Sequence, residues 1–257
     1  MDKTRKIIYN SFKVNEKTIN KSRRVKMDWN KEILTKIDFD KINNKEEKEK
    51  VALKIAGKVQ EGDVIGFGSG STSYLTIYAI ADKMKKEHIK ITAIPTSYET
   101  EMLCHYLQIP TATLLEQRPD WSFDGADEVN EEKWLIKGRG GAMYREKLNI
   151  ANSKITYVLV DSSKIVEKLG SHFDVPVEVE PSAINHVKEE LMLLGTKEVN
   201  IRKAVSKDGP VITEKGNIIL DAKFENISEH LEKDIKSITG VIESGLFIGY
   251  PVEIISA

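Results

Sequence analysis

Residues 63–72 read Asp63-Val64-Ile65-Gly66-Phe67-Gly68-Ser69-Gly70-Ser71-Thr72. The apolar run at 64–67 predicts a short buried strand, and the glycines and serines after it predict a loop. A helix is predicted from Thr72 to about Lys86. The loop can turn backbone N–H groups and hydroxyls toward an anion at the helix N-terminus, and phosphate is the natural ligand there.

By itself this loop leaves phosphate binding open, because Ser and Thr also cap ordinary helices and Gly also forms ordinary turns. The loop lacks the Gly-Lys-Ser/Thr end of a Walker A motif. It also lacks the three spaced glycines of a dinucleotide-binding fingerprint. No nucleotide cofactor is therefore expected.

Strands and helices alternate on both sides of this unit. Upstream, a helix is predicted at 44–60, where Val51, Ala52 and Ile55 share one face. Downstream, strands are predicted at 89–94, 111–115, 121–123, 134–137 and 156–160, with helices from a capping box at 96–99 to about Tyr106 and at 142–151. This alternation predicts an α/β fold with an open, doubly wound, mostly parallel, Rossmann-like sheet.

The pattern changes after Phe173. Strands are predicted at 175–179, 199–205 and 217–221, and helices at 183–194 and 228–235, which together indicate a smaller α+β domain inserted near the C-terminus. The strand-rich end at 241–255 is expected to return to the main sheet. The expected organisation is a basic leader at 1–43, an α/β catalytic domain at 44–172 plus 241–257, and a small α+β domain at 173–240.

Composition excludes several classes of protein. The formal net charge of -1 over 257 residues gives no chain-wide attraction to nucleic acid or to an anionic membrane. No apolar run approaches the roughly 20 residues of a membrane-spanning helix. The single cysteine, Cys104, favours a reducing compartment, and the cytoplasm is expected.

Residues 1–30 carry nine Lys or Arg against three acids, which predicts a poorly ordered tail, with Met27 as an alternative start.

A second segment, Phe123-Asp124-Gly125-Ala126-Asp127-Glu128, crowds three acids into a small-residue turn at the end of a predicted strand. Crowding and burial raise carboxyl pKa values, so this cluster is suited to proton transfer or to binding substrate hydroxyls. A solvated acidic turn and a Mg²⁺ or Ca²⁺ site are the alternatives. A metal site is the less favoured of these, because no further acids follow at a fixed spacing.

The third segment is Lys137-Gly138-Arg139-Gly140-Gly141-Ala142-Met143-Tyr144-Arg145-Glu146-Lys147. A strand-end lysine precedes glycines that let the backbone approach a ligand, and a helix bearing Glu146 follows. Taken alone, the triplet at 145–147 is typical of a solvated charged face. All three segments follow predicted strands, and open α/β sheets bind ligands at that edge. Together they predict a site for a small phosphorylated, polyhydroxylated molecule.

At these residues the sequence resembles the type A ribose-5-phosphate isomerase family, from about Glu46 to the C-terminus. The most specific stretches are 124–128 and 137–147, with support from 160–164, 175–179, 216–221 and 240–247. The resemblance implies an isomerase of the pentose phosphate pathway that interconverts ribose 5-phosphate and ribulose 5-phosphate. It further implies no cofactor, no metal and a homodimer or homotetramer.

The resemblance also implies roles for individual residues. Glu146 is the expected general base, and Asp124, Asp127 and Lys137 are the other expected catalytic groups; either aspartate is a candidate for ring opening. The substrate-binding residues implied are Ser69, Gly70, Ser71, Thr72, Asp124, Gly125, Ala126, Asp127, Lys137, Gly138, Arg139, Gly140 and Lys164.

Two positions depart from the family pattern. Arg139 stands where many members carry glycine, and Ser69 stands where many carry threonine. The arginine adds bulk and charge beside Lys137 and leaves the preferred sugar phosphate open. An isomerase of another small sugar phosphate and a non-catalytic sugar-phosphate sensor are the alternatives. A related isomerase-deaminase is less favoured, because none of the five histidines lies in the three segments.

Overall fold

A computed structural model of the chain describes residues 42–257. The expected basic leader at 1–43, with Met27, lies outside the described residues except for residues 42 and 43. Among the described residues, no helix is long and apolar enough to cross a bilayer.

The elements follow one another in an α/β pattern that becomes α+β near the C-terminus. The helices are α1 (Lys45–Lys58), α2 (Ser71–Glu87), α3 (Tyr98–Leu107), α4 (Met143–Asn152), α5 (Ile184–Leu193) and α6 (Leu231–Ser237). The strands are β1 (Val64–Phe67), β2 (Thr92–Pro95), β3 (Trp121–Gly125), β4 (Glu128–Val129), β5 (Leu135–Ile136), β6 (Thr156–Leu159), β7 (Val175–Val179), β8 (Thr196–Ile201), β9 (Ile218–Phe224), β10 (Val241–Ser244), β11 (Leu246–Phe247) and β12 (Val252–Ile255).

The central sheet has five strands in the order β12-β6-β3-β1-β2, and every pair in it is parallel. Its strands are short and largely buried, as expected when helices cover a parallel sheet. On α1, Val51, Ala52 and Ile55 are buried on one face, as the sequence pattern predicts. The predicted doubly wound α/β fold is confirmed, and the carboxyl ends of β1, β3 and β6 meet at one edge.

A second, antiparallel sheet has the order β10-β7-β9-β8. Its apolar side packs with α5 and α6 around a buried core that includes Val177, Val187, Leu191, Leu220 and Ile235. The predicted small α+β unit is thus present. A three-stranded ribbon, β11-β5-β4, adds a further antiparallel sheet.

The strands at the C-terminal end of the chain belong to different sheets. β12 pairs with β6 in the parallel sheet, whereas β10 pairs with β7 in the antiparallel sheet. The grouping of 44–172 with 241–257 as a catalytic domain, and of 173–240 as the small domain, stays a proposal.

Two local predictions are wrong. The strand predicted at 111–115 is reduced to one bridge, between Ala93 and Thr111, followed by a turn in which Thr113 bonds to the Glu116 carboxylate. The cap of α3 is Ser97 rather than the first residue of the predicted capping box. The Ser97 side chain accepts a hydrogen bond from the Thr100 N–H, which satisfies a donor that the first turn leaves open.

Candidate active site

A cavity of about 880 Å³ opens at the edge where β1, β3 and β6 end. Thirteen of the sequence-predicted site residues line it: Ser69, Gly70, Ser71, Thr72, Gly125, Ala126, Asp127, Lys137, Gly138, Arg139, Gly140, Glu146 and Lys164. Asp124 is the exception, because its side chain is buried. The structure therefore brings the three segments together. The first two lie at the ends of β1 and β3 in the parallel sheet, as predicted. The third follows β5, which pairs only with antiparallel neighbours, so its predicted place after a parallel strand is wrong.

A buried lysine joins two buried carboxyl groups at the base of this cavity. The Lys137 Nζ lies 3.0 Å from Asp124 Oδ2 and 3.4 Å from Glu146 Oε2, and it donates to the Gly125 carbonyl. Asp124 also accepts the backbone N–H groups of Ser69, at 3.2 Å, and of Gly125, at 2.8 Å. Asp124 thus holds the lysine, and the glycine loop in turn holds Asp124.

The surroundings of the Glu146 carboxyl group bring its pKa close to neutral pH. Burial and, to a smaller extent, the charges of Asp124 and Asp127 raise the pKa of Glu146 from 4.5 to about 8, against the opposing charge of Lys137. Burial opposes the charge of Lys137, but Asp124 and Glu146 outweigh burial and raise the pKa of the lysine. The site therefore combines a fixed ammonium with a carboxyl group that exchanges its proton near neutrality.

Lys137 is the shared partner of both carboxyl groups in this cluster. Asp124 Oδ2 and Glu146 Oε2 are buried, and the Lys137 ammonium is the cation beside each of them. Glu146 also lines the cavity, so its carboxyl group can meet a bound molecule. Substrate hydroxyls are suitable partners for it.

Glycines allow the backbone to come this close. A Cβ on Gly68 would collide with the Asp124 carboxylate, and Gly138 has a φ of +99°, which side chains rarely adopt. Both glycines are therefore required by the packing of the loops on Asp124 and after Lys137.

The N-terminus of α2 lies in the wall of the same cavity. Gly70 precedes the helix and provides no side-chain cap, so the first N–H groups remain for a ligand. The Lys48 Nζ on α1 lies 3.2 Å from Ser71 Oγ and 3.7 Å from Asp161 Oδ2. Burial lowers the pKa of Lys48, although Asp161 opposes this effect.

The cavity is also lined by four residues that the sequence did not predict for the site: Asn44, Lys48, Asp161 and Ser163. A signal for Lys48 was present, because it lies one helical turn before Val51 and Ala52 and so shares their buried face. Asp161 accepts hydrogen bonds from Asn44 and from the Ser163 N–H, both at 3.1 Å. The bond from Asn44 joins residues that are 117 positions apart in the chain, so no local pattern indicates it.

The hydroxyl of Ser69 is engaged within the protein. It lies 2.7 Å from Thr96 Oγ1 and 3.0 Å from Ser97 Oγ. These contacts tie the glycine loop to the start of α3. Direct contact of the Ser69 side chain with substrate stays a prediction.

Arg139 lies at the exposed rim of the cavity. Its backbone N–H donates to Asp127 Oδ2 at 3.1 Å, and its guanidinium lies 5.6 Å from the Phe173 ring centre. The Lys164 Nζ lies 4.9 Å from the same ring centre. Two cations thus face the opening of the cavity, which favours the approach of an anionic ligand.

The third acid of the predicted cluster, Glu128, does not belong to the site. It is fully buried and accepts the backbone N–H groups of Gly170, His172 and Phe173. Glu128 therefore fixes the chain after residue 169. In the described part of the chain, no group of three or more His, Cys, Asp or Glu is arranged to hold a metal ion.

A buried carboxyl group with a raised pKa lies beside a buried ammonium, and a helix N-terminus lines the same cavity. On a doubly wound α/β sheet, this arrangement is typical of an enzyme that moves a proton on a small substrate.

Comparison with known proteins identifies the family. Residues 92–257 match the family model described as Ribose 5-phosphate isomerase A (phosphoriboisomerase A). A ribose-5-phosphate isomerase A of a Synechococcus strain is 47% identical over 206 residues, covering 79% of this chain and 88% of the relative.

Solved structures agree. Ribose 5-phosphate isomerase A from Methanocaldococcus jannaschii matches with a TM-score of 0.80 and 42% identity, over 82% of this chain and 95% of that chain. A D-ribose-5-phosphate isomerase in complex with phospho-erythronic acid matches with a TM-score of 0.77 and 40% identity, over 83% and 95% of the two chains. The chain belongs to the ribose 5-phosphate isomerase A family.

Proposed function

We propose that the chain interconverts ribose 5-phosphate and ribulose 5-phosphate through an enediolate, with Glu146 as the base. The observation that carries this proposal is the buried Glu146, whose pKa is raised to about 8 beside the Lys137 ammonium. A base with a pKa near the working pH can both remove a proton and return it. The relatives named above, including the structure with phospho-erythronic acid, support ribose 5-phosphate as the substrate.

In the proposed mechanism, Glu146 removes the proton from C2 of the open-chain aldose and returns it to C1. The O1 oxygen, which becomes negatively charged in the enediolate, is stabilised by the Lys137 ammonium and by the N–H groups of Gly138 and Gly140. A second proton moves from O2 to O1, so the numbers of atoms and electrons are unchanged. Asp124 or Asp127 assists ring opening.

The phosphate is proposed to bind at the N-terminus of α2, far enough from Glu146 to orient the sugar chain along the cavity. Ser71 and Thr72 supply N–H and hydroxyl donors, and Lys48 and Lys164 supply positive charge. Support comes from the uncapped helix start and from Lys48, which lies 3.2 Å from Ser71 Oγ. Arg139 at the rim is proposed to guide the anionic substrate inward.

The direct test is turnover of ribose 5-phosphate by the purified chain in excess EDTA. We expect ribulose 5-phosphate to form without added metal. If the folded protein binds ribose 5-phosphate without converting it, the sensor alternative is favoured. If it converts only a different sugar phosphate, the reaction class stands and the proposed substrate is wrong.

Replacing Lys48 with Met tests the proposed phosphate site. We expect KM for ribose 5-phosphate to rise about 10- to 100-fold with little change in kcat, because a charge-assisted hydrogen bond contributes about 1.5–3 kcal/mol. Steady-state kinetics at constant ionic strength measure both constants.

Lys54→Met is the matched control for Lys48→Met. Lys54 lies on the same helix, but its Nζ donates to the Ser256 carbonyl at 2.8 Å, in an exposed position away from the cavity. An equal change in KM for both variants would contradict the assignment of Lys48 to the phosphate.

A homodimer or homotetramer in the cytoplasm is part of the same proposal. The thiol of Cys104 is buried, and burial raises its pKa to about 12, so it is a poor nucleophile and suits a reducing compartment.

A further inference from the structure

The charged triplet around the base is not a solvated face. In the first turns of α4, the Lys147 side chain is only 7% exposed. Its Nζ lies 2.6 Å from Glu232 Oε1 and 3.0 Å from Glu243 Oε1, and it donates to the Leu246 carbonyl at 2.7 Å. A lysine next to the proposed base is therefore held by three oxygens from outside its own helix.

The partners of Lys147 belong to the second layer of the molecule. Glu232 lies on α6 and Glu243 on β10, both next to the antiparallel sheet. Glu232 is itself fixed, because it accepts the Ile248 N–H at 2.7 Å and the Tyr250 hydroxyl at 3.1 Å. Lys147 thus connects α4 to a rigid part of the small α+β unit.

Arg145 makes a corresponding contact on the other side of Glu146. Its Nη1 lies 2.8 Å from Glu214 Oε2, and its guanidinium lies 5.3 Å from the centre of the Tyr98 ring. Glu214 also accepts the Tyr98 N–H at 2.6 Å. Because Glu214 lies in the turn before β9, this contact also joins α4 to the small unit.

We propose that Lys147 is a positioning residue which, together with Arg145, fixes the turn of α4 that presents Glu146 to the cavity. The inference rests on the proposed function, in which Glu146 is the base. Successive helix residues point about 100° apart, so ion pairs at 145 and 147 restrain rotation of the turn in both directions. The small α+β unit thereby sets the place of the base.

The energetics favour a role in geometry. A buried ion pair gains little net stability over apolar packing, because desolvation offsets the attraction. Precise placement has a larger effect on rate, since a shift of about 1 Å at a reacting group can cost about 10²-fold. The buried Lys147 cluster is therefore better explained by where it places Glu146 than by stability.

The charges around Glu146 and Lys147 determine how the pH dependence of turnover responds to the loss of Lys147. Glu146 faces Asp124, Asp127 and Lys137 in the cavity. Lys147 faces Glu232 and Glu243, and Glu243 also lies 3.2 Å from the Lys236 Nζ. Loss of the Lys147 charge alone would raise the pKa of Glu146. Loss of the restraint would instead admit water to Glu146, reduce the effect of burial and lower its pKa.

The test compares Lys147→Met with Lys236→Met. Both variants remove a lysine from Glu243, but Lys236 lies on α6, is 44% exposed, and its Nζ bonds to Glu243 and to the Ile242 carbonyl. For Lys147→Met we expect kcat for ribose 5-phosphate to fall about 10- to 100-fold with a smaller change in KM, and the acidic limb of the profile to move to lower pH. Lys236→Met should keep the kcat and the profile of the unaltered chain.

The pKa of Glu146 can also be measured without turnover, by an infrared titration of its protonated carboxyl band. The band is assigned by its loss in Glu146→Gln. This readout separates the two proposals: an inactive chain contradicts the proposed function, whereas the direction of the band shift still tests the positioning role. Glu232→Gln, which keeps Lys147 and its contact with Glu243, should give a smaller shift in the same direction. Lys147→Arg, which keeps the charge, should recover part of kcat.

Two results would overturn the inference. One is a lower melting temperature for Lys147→Met with an unchanged pKa of Glu146 and unchanged kcat, which would mark a purely structural lysine. The other is a rise in the pKa of Glu146, which would mark an effect of charge alone.

Discussion

Replacing Glu146 with Gln is expected to lower kcat for ribose 5-phosphate by about 10³-fold, within the range of roughly 10²–10⁴ that general acid–base groups contribute. The amide keeps the shape of the side chain but cannot accept the proton. Substrate binding is expected to persist, because the proposed phosphate contacts at the start of α2 are untouched. Stopped assays of turnover and calorimetric titration with ribose 5-phosphate measure the two effects separately.

Glu178→Gln is the control for Glu146→Gln. Glu178 is as buried as Glu146, but it lies in the antiparallel sheet, where it accepts hydrogen bonds from Thr213 and Asn217. This variant should keep the turnover of the unaltered chain. Near-normal turnover by Glu146→Gln, with the protein folded, would remove Glu146 from the role of base.

The pH dependence of the unaltered chain follows from the same carboxyl group. Burial, Asp124 and Asp127 raise the pKa of Glu146 to about 8 against the opposing charge of Lys137. The base must be ionised to remove a proton, so kcat/KM is expected to rise with pH and to level off above about 8. A limb centred near 4.5, the ordinary value for Glu, would contradict the assignment.

Replacing Lys137 with Met has the second large effect. We expect kcat to fall about 10²- to 10³-fold, as when one donor to a developing oxyanion is removed. Because Lys137 lowers the pKa of Glu146, its loss should also move the acidic limb of kcat/KM to higher pH. Kinetics across the pH range measure both changes.

Stability provides the control for Lys137. Lys137→Met leaves the buried Asp124 without its cation, and breaking a buried pair in this way costs about 3–5 kcal/mol of stability. The double variant Lys137→Met with Asp124→Asn removes both charges, so its stability should recover while turnover stays low. Recovery of turnover along with stability would show that Lys137 acts only on folding.

The three segments that carry the site were predictable because their chemistry is local. Glycines after a strand mark close backbone approach, and parallel strands bring their carboxyl ends to one edge whatever the details of packing. The loop at 68–72 and the acids at 124 and 127 therefore meet at that edge. Lys137 and Glu146 follow β5 in the antiparallel ribbon, so the tertiary structure decides their place beside Asp124. The strand predicted at 111–115 failed because an apolar run alone does not specify a pairing partner.

Sequence patterns do not show which charged residues are buried. Lys48, Glu128 and Lys147 each look like solvated side chains in the sequence, yet all three are buried. Lys48 alone had a local signal, its place on an apolar helix face. Glu128 and Lys147 meet partners that lie 42 and 85 or more positions away, so their burial depends on contacts that only the completed fold creates.

The sequence by itself determined the order of strands and helices, the parallel sheet and the loops at 68–72 and 124–127 that reach its edge, because hydrophobic periodicity and glycine placement act over a few residues. The tertiary structure decided the electrostatics of the site. A carboxyl pKa depends on burial and on the distance to other charges. For Glu146 burial has the largest effect, followed by the charges of Asp124, 22 positions earlier in the chain, and of Lys137. The ion pairs at Arg145 and Lys147 join layers of the fold that are distant in sequence, so only folding brings them to the two sides of Glu146.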